Sequence, residues 1–265
     1  MSSEPQLSAS YNENTRILRI TLNRSDLPRN QIGSQMVREL RDLLQPEVDH
    51  PRLRGVILCS AQEKVFSTGA DIGGELSVMD PSEAARFALA GREGFALFTK
   101  LPCASVAALS GFALGGGLEV AMCCDFRIAT AGARLGLPEI NLGVIPGWGG
   151  TQRLQRLIGR SRALRMILTG DPIPAPTALE WGLVDEVVDK YAELIPAAER
   201  LLARFADKSQ RAVAVAKRAI HEGGDMPLAQ ALNLESDLFG LAWSTPDRVE
   251  GVAALMEKRR PQWPD

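Results

Sequence analysis

Three consecutive glycines, Gly115-Gly116-Gly117, interrupt an apolar run and are followed two residues later by a carboxylate, Glu119. Glycine runs lose much backbone entropy on folding, so they persist where a side chain would collide with something. The residues after the triplet, Leu118 to Cys124, read as a short helix. A helix beginning near Gly116 leaves its first N–H groups unpaired and carries partial positive charge there. Such donors suit a developing negative oxygen. Glu119 would then sit in the first turn, where the dipole favours its ionised form. The alternative is tight packing of this helix on a neighbouring strand, with Glu119 as a capping carboxylate.

A second acid stands in similar isolation. From Leu101 to Arg160 the only acids are Glu119, Asp125 and Glu139, the last in Leu135-Gly136-Leu137-Pro138-Glu139-Ile140. A carboxylate in apolar surroundings loses solvation and must be compensated. Paired acids in such a setting move protons to and from carbon and water. The bland alternative for Glu139 is an ion pair with Arg134 or Arg153. The loop that follows, Gly143 to Thr151, is rich in turn formers yet contains Val144, Ile145 and Trp148, as a loop wrapping a pocket would. A third segment, Lys64 to Gly74, runs from a strand into a glycine-rich loop where backbone N–H groups can face a ligand. Lys64 could neutralise a phosphate there.

The first two thirds alternate strand-like and helical stretches. Strands are expected at 17–22, 55–60, 104–109 and 126–129. Helices are expected at 34–44, with Ser34 as cap, and from Asp80-Pro81-Ser82-Glu83 onward. This alternation predicts an α/β protein with strands layered against helices. From Ala192 onward the chain reads as four helices (192–206, 209–221, 227–243 and 247–259), a tail of the kind that makes oligomer contacts. Domains are accordingly expected at 1–191 and 192–265.

Thirty basic and thirty-two acidic residues leave a net charge of −2, without the basic excess of a nucleic-acid binder. No apolar run approaches the ~20 residues that span a bilayer, and no secretory signal is visible; a cytoplasmic protein is expected. Cys59, Cys103, Cys123 and Cys124 lie in apolar runs and read as buried reduced thiols. With no C-x-x-C pair and only His50 and His221, no metal site is expected, and neither histidine is expected to be catalytic. Neither G-x-G-x-x-G after a strand nor G-x-x-x-x-G-K-[ST] occurs, which argues against dinucleotide and P-loop sites.

Together these segments resemble the enoyl-CoA hydratase/isomerase (crotonase) superfamily. The likeness runs through Asn23-Arg24 with Asn30, Phe66 to Ile72, Val106 to Phe126, Pro138-Glu139, Ile145-Pro146-Gly147 and Gly149-Gly150-Thr151-Gln152-Arg153-Leu154. It continues in Leu168-Thr169-Gly170, Asp247-Arg248, Glu250-Gly251 and Glu257-Lys258-Arg259. The resemblance implies a crotonase-like spiral of ββα units with a helical C-terminal trimerisation region, as a homotrimer or a homohexamer built as a dimer of trimers. It implies an acyl-CoA thioester substrate, with coenzyme A part of the substrate and no separate cofactor, and a place in fatty acid metabolism. It puts the oxyanion hole at the backbone N–H groups of Ala70 and Gly116 and the catalytic acids at Glu119 and Glu139. Lys64, Phe66, Thr68, Asp71, Ile72 and Trp148 would line the CoA and substrate site. Phe239 and Lys258 would reach a CoA site, that of a neighbouring subunit.

Relatives that add water carry both acids, whereas those that shift a double bond keep the one matching Glu139. The resemblance thus implies an enoyl-CoA hydratase, with Glu119 holding and deprotonating water and Glu139 delivering a proton to C2. A delta isomerase, a pathway-specific dehydratase running the reaction backwards and a non-catalytic binding protein on the same fold are the alternatives. Gly143 to Gly147 holds no acid, so the nucleophile of dehalogenase relatives is missing. Departures from the usual pattern are a longer turn after Arg24 (Ser25 to Pro28), Gln31-Ile32 after Asn30, Gly73, and Trp148 where a small residue is usual.

Overall fold

The described residues form ten strands in two sheets. They are β1 (Leu7–Asn12), β2 (Ile17–Leu22), β3 (Gly55–Ser60), β4 (Val65–Ser67), β5 (Ala104–Leu109), β6 (Phe112–Leu114), β7 (Phe126–Thr130), β8 (Arg134–Gly136), β9 (Ile173–Pro174) and β10 (Glu186–Val188). The computed structural model describes residues 5–24, 29–50 and 52–264. The turn Ser25 to Pro28 lies outside them. One sheet has the order β1-β2-β3-β5-β7-β10 and the other β4-β6-β8-β9. Each of the pairs β3–β4, β5–β6 and β7–β8 therefore gives one strand to each sheet before the chain enters a helix, the spiral of ββα units expected above.

The helices of the body are α1 (Ser34–Leu44), α2 (Pro81–Phe95), α3 (Leu97–Lys100), α4 (Gly116–Ala121), α5 (Gly150–Ile158), α6 (Arg160–Thr169), α7 (Ala175–Trp181) and α8 (Tyr191–Ala206). After them come α9 (Gln210–Gly223), α10 (Leu228–Trp243) and α11 (Pro246–Met256). α2 starts as its sequence predicts. Asp80 caps the Glu83 N–H, the Glu83 side chain returns to the Asp80 N–H, and Pro81 fills the first turn. The cap expected at Ser34 is not one. Ser34 is the first helical residue of α1, and its N–H donates to Glu75 Oε2 at 2.7 Å, so a carboxylate 41 residues away takes the capping role. α4 ends at Ala121, shorter than the expected 118–124.

β3 and β5 are buried along their whole length, as parallel strands covered on both faces must be. Their side chains divide by the two-residue period. Val56 and Leu58 of β3 and Ala107 and Leu109 of β5 join the main core with α1, α2 and the second sheet. Ile57, Cys59, Val106 and Ala108 face a smaller core whose other wall is Leu194, Ala197, Ala198 and Leu202 of α8. Gly55 has no side chain because a Cβ there would lie 2.7 Å from Leu202 Cδ1. α8 therefore packs on the first sheet. The helical stretch beginning at residue 192 was expected as a single tail, but its first helix carries an apolar stripe that covers a sheet.

The tail is tied down at α9 by a buried polar knot. Lys217 Nζ donates to the carbonyls of Phe98 (2.8 Å) and Cys103 (2.9 Å) and to Asp125 Oδ2 (2.7 Å). Asp125 also accepts from the N–H and hydroxyl of Ser105, and its Oδ1 lies 2.9 Å from His221 Nε2. Burial alone would push the Asp125 carboxyl up, but the His221 hydrogen bond and the Lys217 charge bring it below its ordinary value. The four cysteines are free and buried. Burial lifts Cys103 to about 12 and Cys123 to about 11, so these thiols stay neutral.

Candidate active site

Two glycine turns meet where the second sheet ends. Gly69, at φ +92°, packs so closely on the other turn that a Cβ would sit 2.8 Å from the Gly116 nitrogen and 3.0 Å from the Leu114 carbonyl oxygen. Gly115, at φ +52°, precedes α4 and donates its N–H to the Gly136 carbonyl at 2.9 Å. The sign of φ favours glycine at both positions, and at Gly69 the close backbone leaves no space for a side chain either. The flanks of Ala70 bond to Ile32: the Ile32 N–H reaches the Gly69 carbonyl (2.8 Å) and the Asp71 N–H reaches the Ile32 carbonyl (3.1 Å). In extended backbone alternate N–H groups point in opposite directions, so that of Ala70 faces away from Ile32. Gly116 is the first residue of α4, where a helix has no internal partner for its N–H. Among the described residues neither amide donates a hydrogen bond.

The loop bearing Ala70 is held from behind. Asn30, wholly buried at φ +44°, donates to Ser60 Oγ (2.8 Å) and the Phe66 carbonyl (3.2 Å), while its own carbonyl accepts from Ser67 Oγ (2.7 Å). Arg24 pairs with Asp71 at 3.1 Å, and Asp71 Oδ1 takes the Gly74 N–H. The matching residues Arg24 and Asn30 thus fix the loop. Asp71 is engaged in that bracing, and Phe66 points into the core with no exposed surface, so neither side chain is presented to a ligand as expected. Thr68 is half-buried, its hydroxyl on the Arg29 carbonyl. Lys64 and Ile72 are exposed. Phe239 stacks on Trp243 within α10, and Lys258 follows α11; both are on the outer surface of the tail.

Glu119 is the last residue of the first turn of α4 and is 2 % exposed. Its Oε1 accepts two backbone N–H groups, from Trp148 at 2.8 Å and Gly150 at 2.7 Å. Gly149, at φ +108°, makes the turn that aims both at one oxygen, and Arg153 Nη1 braces it through the Trp148 carbonyl at 2.8 Å. Burial raises the Glu119 carboxyl above its ordinary range, opposed by the N–H groups of Gly150 and Trp148 and the Arg153 charge. The helix start was expected to favour the ionised form; the groups that favour it here are the N–H groups of Gly150 and Trp148 and the Arg153 charge.

Glu139 lies in a 3-10 turn, Pro138–Leu142, directly after β8. Its Oε1 is beside the α4 entrance, where a Cβ on Gly115 would come within 3.1 Å of it. Its Oε2 is buried and accepts no hydrogen bond from the described residues. Neither Arg134 nor Arg153 pairs with it: Arg134 turns to the Ala133 carbonyl and Arg153 to that of Trp148. Burial lifts its carboxyl to about 7, with the Glu119 charge adding to the rise and its own N–H opposing it. Two acids on either side of one helix entrance, one anchored and one with a free oxygen, can bind and deprotonate a small neutral molecule. They titrate as a unit.

Trp148 packs against Gly116 and Gly91. Its indole sits among Phe87 and Phe95, ring centroids 5.1 and 5.2 Å away, with Nε1 3.4 Å from the Phe87 carbonyl. A Cβ on Gly116 would lie 2.1 Å from Trp148 Cζ3, and one on Gly91 of α2 2.3 Å from Nε1. Gly116 is therefore bare for the ring as well as for the helix start.

The chain matches the family model described as Enoyl-CoA hydratase/isomerase over residues 12–265. It is 40% identical over 231 residues to a crotonyl-CoA hydratase of Syntrophomonas wolfei subsp. wolfei, covering 87% of this chain and 88% of that protein. It is 39% identical over 241 residues to a short-chain-enoyl-CoA hydratase of Clostridium acetobutylicum, covering 91% of each. Among solved structures, an enoyl-CoA hydratase from Bacillus anthracis superposes with a TM-score of 0.90 at 37% identity, over 98% of this chain and 99% of the other.

Proposed function

The chain belongs to the enoyl-CoA hydratase/isomerase family, and we propose that within it the protein adds water reversibly across a trans-2-enoyl-CoA to give a 3-hydroxyacyl-CoA. The observation that carries this reading is the asymmetric pair of acids. Glu119 is fixed by two backbone N–H groups, while Glu139 keeps a buried oxygen without a partner. A double-bond shift needs one proton shuttle, for which Glu139 would suffice. Anchoring a second buried acid beside it fits a reaction that must also hold a water molecule.

In this mechanism the thioester oxygen lies between the N–H groups of Ala70 and Gly116. Water attacks C3, the electron pair of the C2–C3 double bond moves toward the carbonyl, and the oxygen becomes enolate-like. Each of the two donors is worth about 3–4 kcal/mol to that charge. Glu119 takes the proton of the attacking water through the oxygen not engaged by Trp148 and Gly150. Glu139, whose carboxyl is lifted to about 7 and so still carries its proton in a large fraction of molecules at neutral pH, delivers that proton to C2. Proton gain at one acid and loss at the other leaves the pair with its single proton in exchanged positions, and the microscopic reverse is the dehydration.

Coenzyme A enters as part of the substrate, with Lys64, Thr68 and Ile72 along it and Phe239 and Lys258 reaching the site of a neighbouring copy. The tail supports assembly as a trimer or a hexamer: Leu228, Phe239, Trp243, Val249, Leu255 and Met256 leave large apolar surfaces exposed. No described helix is long and apolar enough to cross a membrane, and a cytoplasmic enzyme of fatty acid metabolism fits the reading. The test is loss of enoyl-thioester absorbance on adding the protein to crotonyl-CoA. Glu119→Gln should cut the rate at least a thousandfold while CoA binding persists; an unchanged rate removes the water-activating role.

A further inference from the structure

We infer that Trp148 is a plug that limits the acyl chain to about four carbons. The inference rests on the hydratase reading and adds the substrate class. With the thioester oxygen at Ala70 and Gly116 and the reacting carbons between Glu119 and Glu139, carbons beyond C3 continue past the acids toward the loop Pro146 to Gly150 and α2. The indole stands there. Its backbone N–H is bonded to Glu119, its six-membered ring rests on Gly116, and its other edge rests on Gly91 of α2. Phe87 and Phe95 hold it, and it is 3 % exposed, so it cannot swing aside as a surface side chain could.

Space lies beyond Phe87. A cavity of about 610 Å³ between α1 and α2 is lined by Val37, Met79, Phe87 and Ala90, with Arg38 and Arg86 among its polar residues. Phe87 is common to the wall of that cavity and to the cage around the indole. Phe87 is thus the side chain that stands between the indole and this cavity, whose lining also holds Ser34, Arg41, Glu75 and Glu83. A smaller side chain in place of the indole would leave the Trp148 N–H in place, so the grip on Glu119 survives while the space of the ring beside Gly116 is freed.

The experiment measures kcat/KM for crotonyl-CoA, trans-2-hexenoyl-CoA and trans-2-decenoyl-CoA on the wild type, Trp148→Ala and Trp148→Leu. The wild type should favour the four-carbon over the ten-carbon substrate by at least about a hundredfold, and the variants should narrow that ratio at least about tenfold. Equal wild-type values for the two chain lengths overturn the plug even where a variant fails to fold. So does an unchanged ratio in a variant that melts cooperatively. If the wild type hydrates no enoyl thioester, the hydratase reading fails separately. The plug is then judged by calorimetric binding of butyryl-CoA and decanoyl-CoA: weaker binding of the longer ester, relieved in the variants, upholds it, and equal binding overturns it.

Discussion

Replacing Glu139 by glutamine should change how the stability of the protein depends on pH, in a direction and by an amount that the site dictates. The carboxyl is lifted from its ordinary 4.5 to about 7 by burial and by the charge of Glu119. Below pH 4.5 the group is protonated in both the folded and the unfolded chain, and nothing is lost. As pH rises the unfolded chain releases the proton first, so stability falls until the folded carboxyl has also ionised, and then levels off. Between pH 5 and pH 9 the two values give a loss of about 2.5 kcal/mol, an upper figure for a half-buried group. Glutamine has the same shape and no such titration. Its amide meets the same surroundings at every pH, so any unmet hydrogen bond shifts its curve without tilting it. Urea unfolding at fixed protein concentration from pH 5 to pH 9 should show the wild type losing about 2.5 kcal/mol more than Glu139→Gln. Parallel profiles would mean that Glu139 is an ordinary solvated acid, and the proton-donor role would lose its physical basis.

Gly116→Ala should drive a methyl into the caged indole, costing about 1–3 kcal/mol in stability and at least a hundredfold in crotonyl-CoA turnover, read by melting and by rate. Arg153→Met removes the charge that favours ionised Glu119 and the brace on the Trp148 carbonyl, so the acid limb of the kcat/KM profile should move to higher pH. Lys217→Met should lower stability by about 3–5 kcal/mol by leaving Asp125 buried without its cation, and adding Asp125→Asn should restore part of it; equal single and double variants would show no coupling.

What the sequence disclosed, and what it concealed, follows from which groups carry the information. The acids and the glycine triplet were legible because their residue types are out of place in apolar runs. The long strands β2, β3, β5 and β7 were legible through their burial pattern. β6, β8, β9 and β10 were not, since two or three residues cannot establish a period and are set by pairing, the first three across the second sheet and β10 against β7 of the first. The partners of Glu119 were invisible for a different reason. They are main-chain N–H groups 29 and 31 residues away, and any residue type has one. Glu75 displaced Ser34 as the cap of α1 because tertiary contact brought a stronger acceptor to that helix end. Phe66 matched a binding motif by position, yet its ring serves the core while the backbone around it serves the loop. Asp125 was visible as an isolated acid, but its partners Lys217 and His221 are about ninety residues later, on a helix whose docking no local pattern announces.

The central claim is that Glu119 and Glu139 act together on one water molecule at C3 of an enoyl thioester. Its most direct test is incubation with crotonyl-CoA in H₂¹⁸O, followed by mass spectrometry of the thioester products. A 3-hydroxybutyryl-CoA carrying one ¹⁸O in its hydroxyl, formed by the wild type and lost in both Glu119→Gln and Glu139→Gln, is the predicted result. Unlabelled crotonyl-CoA recovered intact, or label incorporated equally by either variant, would contradict it.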